Sequence, residues 1–450
     1  MPDFPQFVSR DPTLQEEIVT AVGMVAQGSF LFAKSQLDSL LRKATEEAIR
    51  KELGRLPCTL NNLYKEKMTR ISRQNHDSRT LAKTVLLWVI YAKRPPTVRE
   101  LQHALAVREG ETNLYVENIP GEDTLVSVCE GLVDVDKKSS IIHIVHDSAQ
   151  VYLSRTQETW FPDVERYITT ICVTYLLLDS FKTGFCFTDT EFEERLRMHV
   201  FYSYAATYWG HHAREASEQP RELILKFLQS DAKLFGSYQA MMAAIRGGRR
   251  YSQEVPREMK GPHVAAYYGL REAMAGLLNN RHDLNMKDTW GRTPLMWAVE
   301  NGHMSVVDLL VGEGASIEAR DNRDWTSLIL ATTKRHISIV DLLLESGADF
   351  ETRDTVMRTP LSYAAEQGNE SIVRLLSDMG VDVNSVDNVG RSPLSYAAEQ
   401  GNEYIVQLLL DTGADVNLVD NIARSPLSYA VEQGNEYIGR VLLDRGSGVA

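Results

Sequence analysis

PLSYAAEQGNE stands at residues 360–370, is repeated unchanged at 393–403, and returns as PLSYAVEQGNE at 426–436. The spacing is 33 residues each time. The same phase carried backwards finds TPLMWAVENGH at 293–303, a weaker TSLILATTKRH at 326–336 and a degenerate KGPHVAAYYGL at 260–270. Gly269, Gly302, Arg335, Gly368, Gly401 and Gly434 share one register. In each unit Thr or Ser precedes Pro or its substitute. The first offers a side-chain acceptor to the free N–H groups of a helix start, and the second needs no N–H partner there. A short helix follows, and Gly ends it in left-handed backbone. The second helix, YIVQLLLDTG at 404–413, places Ile405, Val406, Leu408 and Leu409 at helical spacing. A unit of this size cannot bury the apolar faces of two helices alone, so neighbours must stack.

A 33-residue period with T-P-L-H-x-A-A-x-x-G chemistry resembles the ankyrin repeat. Thr293-Pro294-Leu295, Ala364-Ala365-x-x-Gly368 and Gly413-Ala414-Asp415-Val416-Asn417 carry the resemblance. It implies a solenoid over residues 251–450, about six units with the first degenerate and the last truncated. It also implies a concave surface, lined by hairpin tips and the exposed side of each first helix, on which a protein partner docks. Matching positions puts Trp290, Val356, Val389 and Ile422 near the tips, with Arg292, Arg358, Arg391 and Arg424 just after them. Glu300, Glu366, Glu399 and Glu432 lie on the helix, with Gln367, Gln400 and Gln433 beside them. The competing reading of the charged rows is that they pair across repeats and stay solvated, worth under about 1 kcal/mol per pair. Tyr363, Tyr396 and Tyr429 stand where the family has Leu, so packing is their expected role.

The departures from the pattern carry expectations of their own. The His of T-P-L-H survives as His263, and Ser362, Ser395 and Ser428 replace it elsewhere. The tip Gly is kept at Gly291 and Gly390 but becomes Asp324, Met357 and Ala423, whose Cβ atoms disfavour left-handed backbone. The unit at 321–353, with Arg335 for Gly and Ser327 for Pro, is expected to be the loosest joint. Val441, Leu442 and Leu443 have no further unit to cover them, so 434–450 is expected to be less protected than 401–417.

At 450 residues the chain is too long for one ordinary core. A net charge of −13 and a pI near 5.4 argue against a general nucleic-acid or anionic-membrane binder. Cys58, Cys129, Cys172 and Cys186 have no C-x-x-C spacing and sit among apolar residues, as buried reduced thiols do. No basic-then-apolar leader opens the chain, and its longest apolar run, Val85–Ala92, is too short to span a membrane. A soluble cytoplasmic protein is expected, with the nucleus a second possibility.

Towards the N-terminus the chain reads as mainly α. Asp11-Pro12 with the T-x-x-E of Thr13–Glu16 marks a helix start, and SFLFAKSQLDSLLRKA (29–44) and PCTLNNLYKEKMTRISR (57–73) read as further amphipathic helices. These make a helical segment at 1–76. Over 77–155 a helix through SRTLAKTVLLWVIYA stops at Pro95-Pro96, and Thr97 caps VRELQHALAV. DTLVSVCEGL follows, then a hairpin of Leu132–Asp136 and Ile141–His146. Three helices and a hairpin make a winged-helix-like domain. Residues 156–250 read as a helical spacer whose aromatic stretches 171–181 and 201–214 are core, and RGGRRYSQEVPREMKG (246–261) as a linker.

Residues 11–155 resemble the segment after the nucleotide-binding core of fungal NACHT–ankyrin proteins, relatives of NOD-like receptors. The resemblance rests on 26–40, 56–71, 86–107 and 145–153. That family's core carries G-x-x-x-x-G-K-[ST], which is absent from this sequence. On this resemblance the chain begins where the core ends and should neither bind nor hydrolyse ATP. No catalytic, cofactor or metal site is expected. His146-Asp147-Ser148 are consecutive and cannot align as a triad, so Asp147 or Ser148 is expected to cap the helix after the hairpin. His211 and His212 point to different sides of a helix, which leaves surface or aromatic-packing roles. The third winged helix and its lead-in carry Glu122, Asp123 and Glu130 and no Lys or Arg, unlike a DNA-reading helix. The expected function is a non-enzymatic protein–protein interaction scaffold in a remnant of a NACHT-type receptor. The alternatives are an adaptor or regulator pairing with intact relatives through residues 1–155, and a winged-helix DNA-binding regulator.

Overall fold

The computed structural model describes residues 6–26, 33, 36, 37, 40, 43–53, 60–245, 251–279 and 283–446. Most of the helix expected at 29–44 lies outside these, as do Cys58, 246–250 and 447–450. The chain divides into two compact units, Met1–Ala106 with Tyr115–Val164, and Val107–Leu114 with Glu165–Ala450.

In the first unit, α1 (Pro12–Ala26) starts where Asp11 Oδ1 accepts the N–H groups of Thr13 at 2.9 Å and Leu14 at 3.1 Å. The cap is therefore Asp11 and not Thr13, because Pro12 already takes the first helical position. Leu14, Ile18 and Val22 pack with Val8, Leu40 and Ile49 of α2 (Glu46–Leu53). α3 (Leu60–Arg73) buries Leu63, Tyr64, Met68 and Ile71. The hub is α4 (His76–Tyr91), which touches α3, α5 (Val98–Ala106), α6 (Glu122–Ser127) and the hairpin. Thr97 does cap α5: its Oγ1 accepts the Glu100 N–H at 3.2 Å, and Glu100 returns a carboxylate to the Thr97 N–H at 2.8 Å. α6 is shorter than DTLVSVCEGL suggested. Glu130 and Gly131 take left-handed backbone (φ 52° and 69°) and turn the chain into the sheet. β1 (Val133–Asp136) pairs antiparallel with β2 (Ile141–Ile144), Val133 opposite Ile144, burying Val133 and Ile142. α7 (Asp147–Arg155) closes the winged-helix arrangement. Its cap corrects the expectation. His146, not Asp147 or Ser148, is the cap, its Nδ1 accepting the Ser148 N–H at 3.1 Å. The Ser148 hydroxyl lies 2.7 Å from that same nitrogen and 2.7 Å from the Tyr64 hydroxyl. The ring is thus turned into the helix start.

The second unit opens with α8 (Val164–Leu176), α9 (Asp189–Met198), α10 (Tyr202–Glu215), α11 (Arg221–Leu228) and α12 (Asp231–Ile245). Tyr175, Phe181, Phe201, Tyr202 and Trp209 are buried and pack as the aromatic core. His212 is wholly buried between the Glu165 carboxylate (2.5 Å) and the Tyr204 hydroxyl (3.0 Å), while His211 meets Tyr268 edge-on. Cys129 of the first unit and Cys172 and Cys186 of this one are free, buried thiols, and burial pushes Cys129 up to about 12.

The stretch 251–260 is not an exposed linker. Ser252, Val255 and Met259 are buried, and Arg257 exchanges two hydrogen bonds with Thr289. Its polar composition hid three apolar anchors, Val255, Pro256 and Met259.

Helix pairs then follow in the 33-residue phase. They are α13 (Gly261–Tyr268) with α14 (Arg271–Leu278), α15 (Pro294–Glu300) with α16 (Met304–Gly312), and α17 (Ser327–Thr333) with α18 (Ile337–Glu345). After these come α19 (Pro360–Glu366) with α20 (Glu370–Asp378), α21 (Pro393–Gln400) with α22 (Glu403–Asp411), and α23 (Pro426–Glu432) with α24 (Glu436–Gly446). Thr293, Thr326, Thr359, Ser392 and Ser425 cap the first helices as their positions required. Neighbouring pairs are tied by a polar side chain that donates to the preceding pair: His303 to Tyr267 C=O, His336 to Glu300, Asn402 to Ala365 and Asn435 to Ala398. At the third-to-fourth junction Asn369 caps its own helix instead, and left-handed Arg335 (φ 60°) reaches the Gln367 carbonyl. In the last pair Val431 is 67% and Leu443 57% exposed, whereas Ala365 and Ala398, in the position of Val431, are buried.

His263 makes the first pair sensitive to acid. Its Nδ1 accepts the Lys260 N–H at 3.1 Å and its Nε2 donates to the carbonyls of Met286 and Arg292, so the ring is buried neutral. Burial lowers its pKa from 6.5 to about 4. The unfolded chain therefore binds more protons than the folded one between those values, and stability falls as pH drops through that window. Between pH 7.5 and pH 5 the expected loss is about 2 kcal/mol. Urea titrations at both pH values check it: His263→Gln should abolish most of the difference.

Candidate functional site: repeat tips and an arginine–tyrosine ladder

Each tip is built on an aspartate. Asp354 Oδ1 accepts the N–H groups of Val356 at 3.0 Å and Arg358 at 2.8 Å, and Oδ2 accepts the Tyr363 hydroxyl at 2.6 Å. Asp387 does the same for Val389, Arg391 and Tyr396, and Asp420 for Ile422, Arg424 and Tyr429. At the first tip Asp288 holds Trp290, Arg292 and the Trp297 indole N–H. Tyr therefore replaces Leu for a reason: its hydroxyl reaches back nine residues to close the tip. Burial first, and then the carboxylate, push Tyr363 and Tyr396 well above the usual phenol range and Tyr429 to about 12, so each remains a donor at neutral pH.

With φ of 58°, 65° and 62°, Asp324, Met357 and Ala423 take the left-handed backbone expected of a tip glycine. Adjacent tips are joined by backbone bonds, Asn388 N–H to Val356 C=O at 3.0 Å and Asn421 N–H to Val389 C=O at 2.9 Å.

The charged rows pair across repeats at one end, where Arg292 Nε lies 3.6 Å from Asp321 and Lys334 Nζ 3.2 Å from Glu300, and stay solvated at the other, where Glu432 is 52% exposed. Arg292, Arg358 and Arg391 are only 10%, 13% and 16% exposed, and each pairs with the Glu eight residues on, Glu300, Glu366 and Glu399. Arg358 and Arg391 also stack across repeats. The Arg358 guanidinium lies 4.0 Å from the Tyr363 ring centre and 4.2 Å from that of Tyr396, and Arg391 lies 4.1 Å from Tyr396 and 4.4 Å from Tyr429. Arg424, over Tyr429 at 4.5 Å and 36% exposed, ends the ladder, with Asp420 at 3.0 Å and Glu432 at 3.6 Å. Two repeats before Arg358, and separated from it by Trp325 in the equivalent position, Arg292 lies over Trp297 and Trp290 of its own repeat, which stack on each other. Desolvated cation–π contacts of this kind contribute about 1–2 kcal/mol each, more than a surface ion pair.

The structure thus separates the residues that the sequence grouped. Arg358 and Arg391 with Tyr363, Tyr396 and Tyr429 form a laddered interior. Val356, Val389 and Ile422 project from the tips, 40%, 49% and 70% exposed, and Trp290 is half-buried. Gln400, Gln433 and Glu432 are exposed and Gln367 half-buried. Sequence reasoning did not single out Asp288, Asp321, Asp354, Asp387 and Asp420, although their 33-residue spacing was there to be read. Among the described residues no group of His, Cys, Asp and Glu could hold a metal ion, and no helix is long and apolar enough to cross a membrane.

This architecture defines a class: a mainly helical chain with ankyrin repeats in its C-terminal part and a winged-helix domain before them. Residues 263–354 and 361–449 match the family profile of ankyrin repeats, and residues 66–159 that of the GPI inositol-deacylase winged helix domain. Among curated proteins the chain is similar to the acyl-CoA-binding domain-containing protein 1 of Arabidopsis thaliana. The two are 36% identical over 67 residues, 14% of this chain and 20% of that protein. It is also similar to the acyl-CoA-binding domain-containing protein 4 of Oryza sativa subsp. japonica, 42% identical over 53 residues, 12% of this chain and 16% of that protein. The chain spans about a fifth or less of the length of these relatives.

Proposed function

We propose that this chain is a non-enzymatic protein–protein interaction scaffold whose ankyrin repeats take a protein partner along the tips Trp290, Val356, Val389 and Ile422. The observation that carries this reading is the row of exposed aliphatic side chains set 33 residues apart on tips that hydrogen bonds lock together. Arg424, Glu432, Gln400 and Gln433 would frame the contact, while Arg292, Arg358, Arg391, Glu300, Glu366 and Glu399 would hold the surface in shape. We read residues 1–155 as the remnant of a NACHT-type receptor. Support comes from the ordered blocks at 26–40, 56–71, 86–107 and 145–153, and from the winged-helix match that spans the last two. A DNA-reading role is disfavoured by α6, which turns Glu122 and Asp123 to solvent and holds no Lys or Arg.

The test uses the full chain as bait beside a Val356→Ser, Val389→Ser, Ile422→Ser variant. Because the three side chains are exposed, the melting temperature should stay within about 2 °C. A partner that wild type retains should be lost by the variant. Equal retention would move the site off the tips.

A further inference from the structure

α18, α20 and α22, the second helices of their pairs, carry a second surface. A groove of about 350 Å³ lies across them. Its apolar wall is Ile337, Leu375 and Tyr404, of which Ile337 and Tyr404 are 44% and 41% exposed. Its polar wall is Asp341, Glu370 and Asp378, with Arg374 between the last two in sequence. Arg374 sits over the Tyr404 ring, 5.6 Å from its centre, and not on either carboxylate. Asp341, Glu370 and Asp378 have no ion-pair partner among the described residues. Further along the same row of helices the carboxylates are satisfied internally: Asp411 by Arg445 at 2.5 Å and Gln407 at 2.9 Å, and Glu436 by Arg440 at 3.2 Å.

We propose that this groove docks a lysine-rich amphipathic segment of a partner protein. A lysine has the two parts that the walls require. Its methylene stem lies along Ile337, Leu375 and the Tyr404 ring, and its ammonium head reaches the open carboxylates. Alternating apolar residues of the segment cover the exposed faces of Ile337 and Tyr404. Other ligand classes fit worse. The carboxylates do not converge into a metal site, they repel phosphate, and an open groove cannot enclose a small molecule. The surrounding field favours the same partner: residues 283–446 hold 26 Asp and Glu against 13 Lys and Arg, and the four ladder arginines are already paired. Such a field speeds the encounter with a basic segment and weakens with salt.

The experiment measures fluorescence anisotropy of a labelled amphipathic Lys/Leu peptide titrated with the full chain at low salt. The groove variant is Asp341→Asn, Glu370→Gln, Asp378→Asn. The control, with the same change in charge, is Asp308→Asn, Glu313→Gln, Glu345→Gln, outside the groove lining. All six side chains are exposed, and circular dichroism confirms folding of each variant. The groove variant should bind at least about tenfold more weakly and the control within about twofold of wild type. Ile337→Ala with Tyr404→Ala should also weaken binding, about fivefold, through lost apolar contact. The Val356→Ser, Val389→Ser, Ile422→Ser variant should bind this peptide as wild type does, so the groove and the tips succeed or fail separately. Equal weakening of the groove and control triples, or no binding by wild type, overturns the proposal.

Discussion

Tyr396→Ala is expected to destabilise the repeat array by about 3–5 kcal/mol, the range for removing a large ring from a packed core. The ring is 5% exposed and fills the space between the Arg358 and Arg391 guanidinium groups. Deleting it leaves a cavity and strips one stacking face from two cations. Its hydroxyl also closes the Asp387 tip at 2.6 Å. Tyr396→Phe keeps the ring but leaves that buried carboxylate oxygen short of a donor, at an expected cost of about 1–2 kcal/mol. Urea denaturation followed by circular dichroism should rank wild type above the Phe variant and the Phe variant above the Ala variant. If Tyr396→Ala costs under about 1 kcal/mol, the rings are surface decoration and not the ladder's rungs.

Gly210→Ala is the second large effect, at about 3 kcal/mol or more. An added Cβ would stand 2.1 Å from Cγ of Tyr268 and 2.3 and 2.4 Å from its two Cδ atoms. The ring cannot swing away. Its hydroxyl donates to the carbonyls of Ala206 and Thr207 at 3.0 and 3.2 Å, and Trp209 and His211 meet it edge-on. Gly210 thus sets how closely α10 approaches α13 and hence how the leading helices seat the first repeat. Gly210→Ala combined with Tyr268→Ala should cost clearly less than the sum of the single changes, because the clash needs both side chains. Additive costs would mean that the two residues do not touch.

The periodicity made the repeats legible because it acts on the backbone. Thr or Ser before the first helix and a left-handed residue after it place each pair, and the structure honours that register even where Arg335, Met357 and Ala423 stand in for glycine. What period alone cannot convey is what lies between the units. Arg358 and Arg391 read as exposed because a charged residue on a repeat surface usually is. Their burial follows from Tyr363, Tyr396 and Tyr429, whose rings stack on their own repeat's arginine, Tyr396 and Tyr429 also on that of the preceding repeat, and whose hydroxyls reach an aspartate as well. The N-terminal unit was legible where signals are local, as at Thr97 and the hairpin, and less so at α7. There an imidazole nitrogen did the capping usually left to Asp or Ser. In 251–260 the polar residues outnumber the anchors Val255, Pro256 and Met259, so composition pointed to a linker while packing was set by a few buried side chains.

The central claim is that the arginine row stabilises the array and leaves recognition to the tips. The coupling energy between Arg391 and Tyr429, 4.4 Å apart and in adjacent repeats, tests it most directly. The cycle compares Arg391→Met, Tyr429→Leu and the double variant by urea denaturation of the full chain. A ladder predicts a coupling of about 1 kcal/mol, with Arg391→Met alone clearly destabilising. A coupling below about 0.3 kcal/mol, with Arg391→Met as stable as wild type, would contradict the ladder and return the arginine row to the partner surface.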